Sequence, residues 1–419
     1  MTASTFRTLL YAHDHPRLAE ARGLSAREFA SAVRKSAHVA SVLDHWHRLY
    51  AQPFHGLTCD GHCEPGLCAL ADEGAPTRMI VAAARALIAR LEGAQRQKLL
   101  RPIDAREWRA WSNPEFILHD VGLRLEDQSL EIRAAMLAVI ESSLSAPGFA
   151  KARACMRMNA FLGQLCDLPL VMNEWSYNFQ LFGEPSAERP WGWNLFGHHL
   201  CLNCFVLGNQ MVISPVFMGA EPNEIDAGPL AGTKLFVTQE REGLMLMRSL
   251  ASQLRDRSRI YARMKADPAM PPGRWHPADG LHLGGAFQDN RIVPYEGVRV
   301  AEFSSPQRDR LLRIVAAFLE HLPTGPLAAQ MRRIESQLER TFWSWIGGHG
   351  DEDPFYYRVH SPVLMLEFDH HQGVWLTNQE PAKCHIHTVI RTPNGNDYGR
   401  DLLRQHYAEL HPGRSPGEA

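Results

Sequence analysis

The sequence predicts an α+β protein, in which a helical N-terminal half packs on a mostly antiparallel sheet formed by the middle and C-terminal strands. Apolar residues recur at helical spacing in several segments before residue 168, whereas alternating polar and aromatic residues appear from residue 175 onward. A composition of 45% hydrophobic and 21% charged residues is typical of globular proteins. We therefore predict a helical region over residues 1–168 and a sheet-containing region over residues 169–419, joined in one compact unit.

The chain of 419 residues has little net charge, because 44 Lys and Arg residues oppose 46 Asp and Glu residues. This balance argues against a nucleic acid or an anionic membrane as a partner. No apolar run is long enough to span a bilayer, and the first residues lack the apolar core of a secretory signal. Eight cysteines in a chain of this length do not form a disulfide framework. We expect a cytoplasmic protein that binds a small-molecule substrate and can form a homodimer.

The N-terminal region is predicted to contain helices separated by turn-rich loops. Ser25 is a suitable N-cap for the first helix, because Glu28 follows three residues later and completes a capping box. Pro76 is suited to the start of the second helix. The predicted helices cover residues 24–50, 75–100, 126–146 and 147–166.

A loop that contains Cys59, Cys63 and Cys68 has two interpretations. Together with the flanking His55 and His62, these thiols have a spacing that a structural zinc site can use. No second pair of closely spaced cysteines or histidines lies nearby, so separate thiols are the simpler interpretation.

The second region is predicted to begin with strands, since aromatic and polar residues alternate there. A turn at Gly208-Asn209 separates the second strand from the third. Residues 268–294 are rich in Pro, Gly, His and Asp, which indicates a long loop. No internal repeat is detectable in the sequence. The predicted strands are 175–182, 191–206, 210–217 and a pair after residue 355, and the predicted helices are 242–265, 306–322, 325–345 and 396–409.

The strongest local signal is the pair His385 and His387 in the last predicted strand. Alternate residues of a strand share a face, so both imidazoles point the same way, and Arg391 follows on that face. Two imidazoles one pleat apart suit adjacent positions around one metal ion. The simpler alternative is a solvated polar sheet face.

The preceding strand carries the acidic residues Glu367 and Asp369, which share one face of a strand that is otherwise apolar. Buried carboxylates are costly unless they are paired or bind a metal, although an edge strand with a wet face would also tolerate them. His370 points away from Asp369, so both can bind one ion only if the strand breaks near Gly373.

A third histidine cluster is His198-His199 in the predicted strand 191–206. On a continuous strand, His199 would share a face with Cys201 and Asn203. We predict His199 as a third metal ligand and His198 as an acid or base. The alternative for either is a hydrogen-bonded histidine of the core.

With these motifs the chain resembles one uncharacterised family, labelled domain of unknown function 3500. The resemblance implies a shared fold unit but brings no established reaction with it. The family usually lacks the three cysteines of the loop, and it often has Gln where this chain has His371, which makes His371 a poor candidate for an essential ligand. The segments that carry the resemblance are Asp60-Gly61, Pro65–Leu67, Trp108, Trp111–Pro114, Pro190–His199, Phe217–Pro222, Pro294–Gly297, Phe355–Pro362, Glu367–His370 and His385–Gly399.

The leading hypothesis is a metal-dependent enzyme with a divalent zinc, iron or manganese ion. The substrate would be small and would carry an aromatic ring or a carboxylate. A hydrolase and a non-haem iron oxygenase both remain open. The alternatives are a metal-independent ligand-binding protein and an acid–base enzyme that use the same polar sheet face. The predicted ligands are His199, Asp369, His370, His385 and His387, with Glu367, Arg391 and His198 in catalytic roles.

Overall fold

Twelve α-helices occur in residues 5–410, the part of the chain that the computed structural model describes. They are α1 (Pro16–Ala21), α2 (Ala26–Val33), α3 (Ala37–Ala51), α4 (Thr77–Arg90), α5 (Gly93–Leu99), α6 (Leu130–Ser143), α7 (Ala146–Leu165), α8 (Val237–Ser249), α9 (Ser252–Ser258), α10 (Ser305–Leu319), α11 (Thr324–Ser336) and α12 (Arg400–Leu410). None of the helices in this part of the chain is both long enough and apolar enough to span a bilayer.

All strands of the described chain belong to one sheet. They are β1 (Leu100–Arg101), β2 (Leu123–Arg124), β3 (Tyr177–Phe182), β4 (Trp191–Gly197), β5 (Leu200–Leu207), β6 (Gln210–Ala220), β7 (Arg259–Tyr261), β8 (Val298–Arg299), β9 (Phe342–Gly347), β10 (Phe355–Ser361), β11 (Leu364–His371) and β12 (Ala382–Arg391). The order across the sheet is β1-β3-β4-β5-β6-β12-β11-β10-β9-β7, with β2 on β3 and β8 on β9. Only the short β1 and β7 run parallel to their neighbours, so the predicted α+β class with a mostly antiparallel sheet is confirmed.

Residues 77–391 form two halves with the same order of elements, although the sequence shows no repeat. Helices α1–α3 precede these halves and α12 follows them. Each half has two helices, a short parallel strand, a short antiparallel strand, two further helices and a four-stranded antiparallel meander. The first half ends with β6 and the second with β12, and these two strands pair antiparallel at the centre of the sheet. The boundary predicted at residues 168/169 therefore falls within the first half, between α7 and β3.

The two faces of the sheet differ in chemistry. One face is apolar and packs against the helices that precede each meander, with side chains such as Trp193, Leu202 and Phe368 in the main core. The opposite face carries Glu367 and Asp369 of β11 and His385 and His387 of β12. It is covered by α3 and by irregular segments, with Trp46 and Phe217 in a second, smaller core. The polar face is thus enclosed rather than solvated.

Five predicted elements differ from the structure. The predicted helices 24–50 and 75–100 are interrupted, the first between α2 and α3 and the second between α4 and α5. The predicted helix 242–265 comprises α8 and α9 and then β7. The predicted helix 325–345 ends at Ser336, and β9 follows it. The predicted strand 191–206 turns back at His198-His199 and forms β4 and β5. His199 has a left-handed backbone conformation with φ of 60°. Neither of the two central turn residues, His198 and His199, is the glycine or asparagine that would have predicted a turn here.

Candidate metal centre

Three imidazoles converge on one point above the polar face of the sheet. The Nε2 atoms of His385 and His387 lie 2.9 Å apart, and the Nε2 atom of His199 lies 3.3 Å and 3.2 Å from them. Nitrogen ligands of one tetrahedral zinc ion are about 3.3 Å apart, given Zn–N bonds of about 2.0–2.1 Å. The three nitrogens therefore have the separation that ligands of a single ion require.

Strand β12 and the turn between β4 and β5 place these rings on either side of β6. His385 and His387 alternate along β12 and share a face, as the sequence predicts. His199 lies in the turn between β4 and β5, and Asn113 Oδ1 accepts a hydrogen bond of 3.0 Å from its backbone nitrogen. Strand β6 runs between that turn and β12, so the ring of His199 must reach across Gly219, which pairs with His387.

Replacement of Gly219 by alanine tests this crossing. A Cβ atom at this position would lie 2.8 Å from Cδ2 of His387 and 2.9 Å from Cδ2 of His199, closer than real contacts allow. We expect Gly219→Ala to destabilise the protein by about 1–3 kcal/mol and to weaken metal binding, because both rings must move. Urea unfolding and metal titration measure the two effects. Gly93→Ala is the control, because a Cβ atom at Gly93 would meet no atom within 4 Å and its backbone is not left-handed. Wild-type metal affinity in Gly219→Ala would contradict this placement.

The three imidazoles are held in their neutral form. Burial, together with the neighbouring histidines, lowers the pKa of His199, His385 and His387 well below its usual value. The Nδ1 atom of His385 donates a hydrogen bond of 2.7 Å to the Gln372 carbonyl, which leaves the lone pair on Nε2. A metal ligand needs such a lone pair, and a backbone carbonyl behind the ring is a common way to fix it.

Glu221 fixes the loop that supports His385. Its Oε1 atom accepts hydrogen bonds from the backbone nitrogens of residues 374–376 and lies 3.6 Å from Nδ1 of His385. Burial raises the pKa of Glu221 to about 7, although these three hydrogen bonds oppose the shift. The carboxyl group thus positions a ligand through the chain that follows β11.

A second group of potential ligands shares His387. It consists of His282, Asp369 and His387, each with one donor atom within 4.8 Å of the others. The Nε2 atom of His282 lies 3.1 Å from Oδ1 of Asp369. Glu367 lies behind His282, where it accepts hydrogen bonds of 2.8 Å from the backbone nitrogens of Leu283 and Gly284.

The carboxylates control the charge of His282. Burial by itself would lower the pKa of His282, but Asp369 and then Glu367 raise it to about 10. In turn, His282 lowers the pKa of Glu367 to about 2 and also lowers the pKa of Asp369, although burial opposes both shifts. Without a metal, His282 is therefore an imidazolium ion between two carboxylates.

This buried charge makes the stability of the metal-free protein depend on pH. The unfolded chain releases the His282 proton near pH 6.5, whereas the folded chain retains it to about pH 10. We therefore expect the free energy of unfolding to fall as the pH rises through this window, by a few kcal/mol at about 1.4 kcal/mol per pKa unit. Urea unfolding in chelator at about pH 6 and about pH 9 measures the change. The His282→Gln variant should lose most of this pH dependence. If the free energy of unfolding changes equally with pH in both proteins, the proton is not held by His282.

A cavity of about 550 Å³ opens above the three imidazoles, a size that suits a small organic ligand. His199, His387 and His282 line its floor, and Asp279 adds a carboxylate. The Oδ2 atom of Asp279 has no hydrogen-bond partner in the described chain. The walls are mostly apolar and come from α2, α3 and the segment after β11: Phe29, Val33, Val42, Leu43, Trp46 and Trp375.

Two predicted site residues lie elsewhere. His370 is on the helix-covered face, where its Nδ1 atom accepts a hydrogen bond from the backbone nitrogen of Phe355. A register shift follows it, but this shift does not bring its ring to the polar face. The guanidinium of Arg391 is enclosed by Asp289, Asp397 and the Gly284 carbonyl, so protein groups occupy its donors.

Two further histidines lie beside the three converging imidazoles. His198 stacks on His199 with ring centroids 3.9 Å apart, and its Nδ1 atom bonds Asn159 Oδ1 at 2.8 Å. Burial lowers the pKa of His198 to about 3, which suits packing more than proton transfer. His371, which the family resemblance had set aside, lines the cavity and stacks on His387 at 4.4 Å.

Sequence analysis missed His282, because it lies in the irregular segment 268–294, where no periodicity gives side-chain direction. The cysteine loop contributes to neither group of potential metal ligands in the described chain. Its thiols have separate partners: Cys63 donates to the His55 carbonyl, and Cys68 accepts from Asn396.

The fold and the site define an α+β protein with a buried histidine-rich centre beneath a largely apolar cavity. The chain belongs to the family described as "Protein of unknown function (DUF3500)", whose model matches residues 73–400, more than half of the chain. The match includes all five residues of the two ligand groups, whereas α1–α3 lie before it. Comparison with curated proteins and with solved structures gave no match.

Proposed function

We propose that this protein is a metal-dependent enzyme that acts on a small, largely apolar substrate. One observation carries the proposal: three neutral imidazole nitrogens converge at 2.9–3.3 Å beside a cavity of substrate size, and His199 and His387 line its floor. The lone pair on Nε2 of His385 faces the other two nitrogens, and a shared cation would satisfy all three at once. A set of three histidines leaves a coordination position for water or substrate.

The donor atoms favour zinc or iron(II) over manganese, because imidazole suits the former and carboxylate suits the latter. A zinc ion would support hydrolysis by activating water, whereas iron(II) would support dioxygen chemistry. The apolar walls would bind the body of the substrate. Asp279 would accept a hydrogen bond from a hydroxyl or amine on it, since Arg391 is not available for a carboxylate.

X-ray absorption spectroscopy of protein loaded with zinc or iron tests the coordination. We expect at least three nitrogen ligands at about 2.0–2.1 Å in the zinc-loaded protein. Loading with each metal in turn, followed by assays of small aromatic esters and of oxygen consumption, then separates hydrolase from oxygenase. A spectrum with only oxygen ligands, or with the six-oxygen shell of a hydrated ion, would contradict the proposal.

A metal-independent acid–base enzyme is the second candidate, and the buried pair His282–Asp369 favours it. His282 lines the cavity, with Asp369 behind it, and carries a proton that it could donate to a substrate. Activity that persists at full rate in chelator, and is lost in His282→Gln, would favour this candidate over the metal-dependent one.

A further inference from the structure

We propose that the protein binds a second divalent cation beside the first, through His282, Asp369 and the other nitrogen of His387. The inference rests on the proposed function, because the second site shares an imidazole with the first. The ligand class is a cation that accepts mixed nitrogen and oxygen donors, such as zinc or copper. His387 would then bridge the two ions as an imidazolate, and its remaining N–H proton would be released to solvent when the second ion binds.

The donor atoms of the second group have the spacing of ligands. His282, Asp369 and His387 each offer one within 4.8 Å of the others, and the closest pair, His282 Nε2 and Asp369 Oδ1, is 3.1 Å apart. Nitrogen and oxygen ligands of one zinc ion are about 3.3 Å apart when both bonds are about 2.0–2.2 Å. All three side chains are buried, so water competes little for the cation.

The orientation of His387 allows it to bridge. Its Cδ2 atom faces Gly219 on β6, because a Cβ at that glycine would lie 2.8 Å from it. Cδ2 and Nδ1 occupy opposite edges of an imidazole, so Nδ1 faces the other neighbour, β11. Asp369 is the residue of β11 that pairs directly with His387. Nε2 thus points at the first group and Nδ1 at the second.

The surroundings of His282 match those of a metal ligand. The Nδ1 atom of His282 lies 3.7 Å from Oε2 of Glu367, so a carboxylate stands behind the ring. Tyr356 donates a hydrogen bond of 2.7 Å to Glu367, in addition to the two backbone nitrogens. Metal-binding histidines typically donate a hydrogen bond to such a carboxylate, and here the His282 Nδ1 and Glu367 Oε2 atoms are about 0.5 Å beyond hydrogen-bond range. His371 adds a possible fourth donor, with Nδ1 at 3.5 Å from Asp369 Oδ2.

A simpler interpretation is an ion pair of protonated His282 with the two carboxylates, with no second metal. It accounts for the contacts of His282. It does not account for the third member of the group, His387, whose neutral ring turns its Nδ1 edge toward the same point.

Native mass spectrometry and electron paramagnetic resonance test the second site with untagged full-length protein. Metal-free protein is titrated first with Zn²⁺ and, separately, with Cu²⁺. We expect two ions per chain for each metal. The copper signal should rise with the first equivalent and decrease with the second, because an imidazolate bridge couples the two spins. Two bound copper ions with a full, uncoupled signal would overturn the shared ligand.

Variants separate failure of this inference from failure of the proposed function. Asp369→Asn and His282→Gln should each lower the zinc count from two to one, whereas His360→Gln, a buried histidine outside both groups, should retain two. One ion in the wild type, unchanged in Asp369→Asn, would overturn the second site and keep the first. No ion in the wild type would overturn the proposed function itself. If a variant does not fold, the number of zinc ions bound per wild-type chain and the wild-type copper signal decide whether the second site exists.

Discussion

Replacement of His387 by alanine is expected to abolish metal retention. His385→Ala should also lose most of its bound metal, although less completely. Each change removes one of only three imidazoles that meet at the candidate centre. The loss of affinity should exceed the roughly 10–100-fold that is typical when an outer-shell partner of a metal ligand is removed. Enzymatic activity should fall in parallel, because the metal would supply the chemistry. Metal analysis after purification and titration of the metal-free variants measure both effects.

His370→Ala is the matched control for these variants. His370 also lies in the central hairpin, but its ring is on the helix-covered face, so this variant should keep its metal. In chelator, His385→Ala and His387→Ala should melt within a few degrees of the wild type. If both variants unfold instead, the histidines are structural. If His370→Ala loses the metal and His387→Ala keeps it, the assignment of faces is wrong.

Replacement of Arg391 by methionine is expected to destabilise the protein by about 3–5 kcal/mol, because it leaves the buried carboxylate of Asp397 without a cation, whereas Asp289 keeps Arg109. The guanidinium binds Oδ1 of Asp289 and Oδ2 of Asp397, both at 2.8 Å, and all three side chains are buried. Burial by itself would lower the pKa of Arg391, but the two carboxylates raise it above its usual value. Urea unfolding of the metal-free protein measures the loss.

Two further variants distinguish this structural role from the substrate contact that the sequence suggested. Arg391→Lys should recover part of the stability, since it keeps the charge but loses the planar fork. Arg189→Met removes an exposed ion pair with Glu184 and should cost about 1 kcal/mol or less. A stable Arg391→Met protein with weakened substrate binding would contradict the structural role and support the original prediction.

Strand parity accounts for the part of the site that the sequence revealed. His385 and His387 share a face with Glu367 and Asp369 opposite them, because side chains alternate in any strand. The same rule indicated that His370 points away. These predictions needed only the local backbone and the assumption that two neighbouring strands form a hairpin.

The remaining features depend on long-range geometry that no local pattern encodes. His199 reaches the centre from a turn across β6, whereas the sequence predicted a continuous strand there. His282 comes from an irregular segment, and its position depends on Glu367 accepting backbone hydrogen bonds 84 residues away. Arg391 likewise has both of its acidic partners outside its own strand, namely Asp289 and Asp397. The two similar halves share an order of elements rather than a detectable sequence pattern.

The proximity of three imidazole nitrogens leads to one decisive measurement, the metal content of untagged protein purified without chelator. Elemental analysis should find at least one equivalent of zinc or iron per chain, and it should fall to near zero in His387→Ala and stay unchanged in His370→Ala. A metal-free wild-type protein that takes up no ion on titration, and whose activity and stability do not respond to chelator, would contradict a metal centre at His199, His385 and His387.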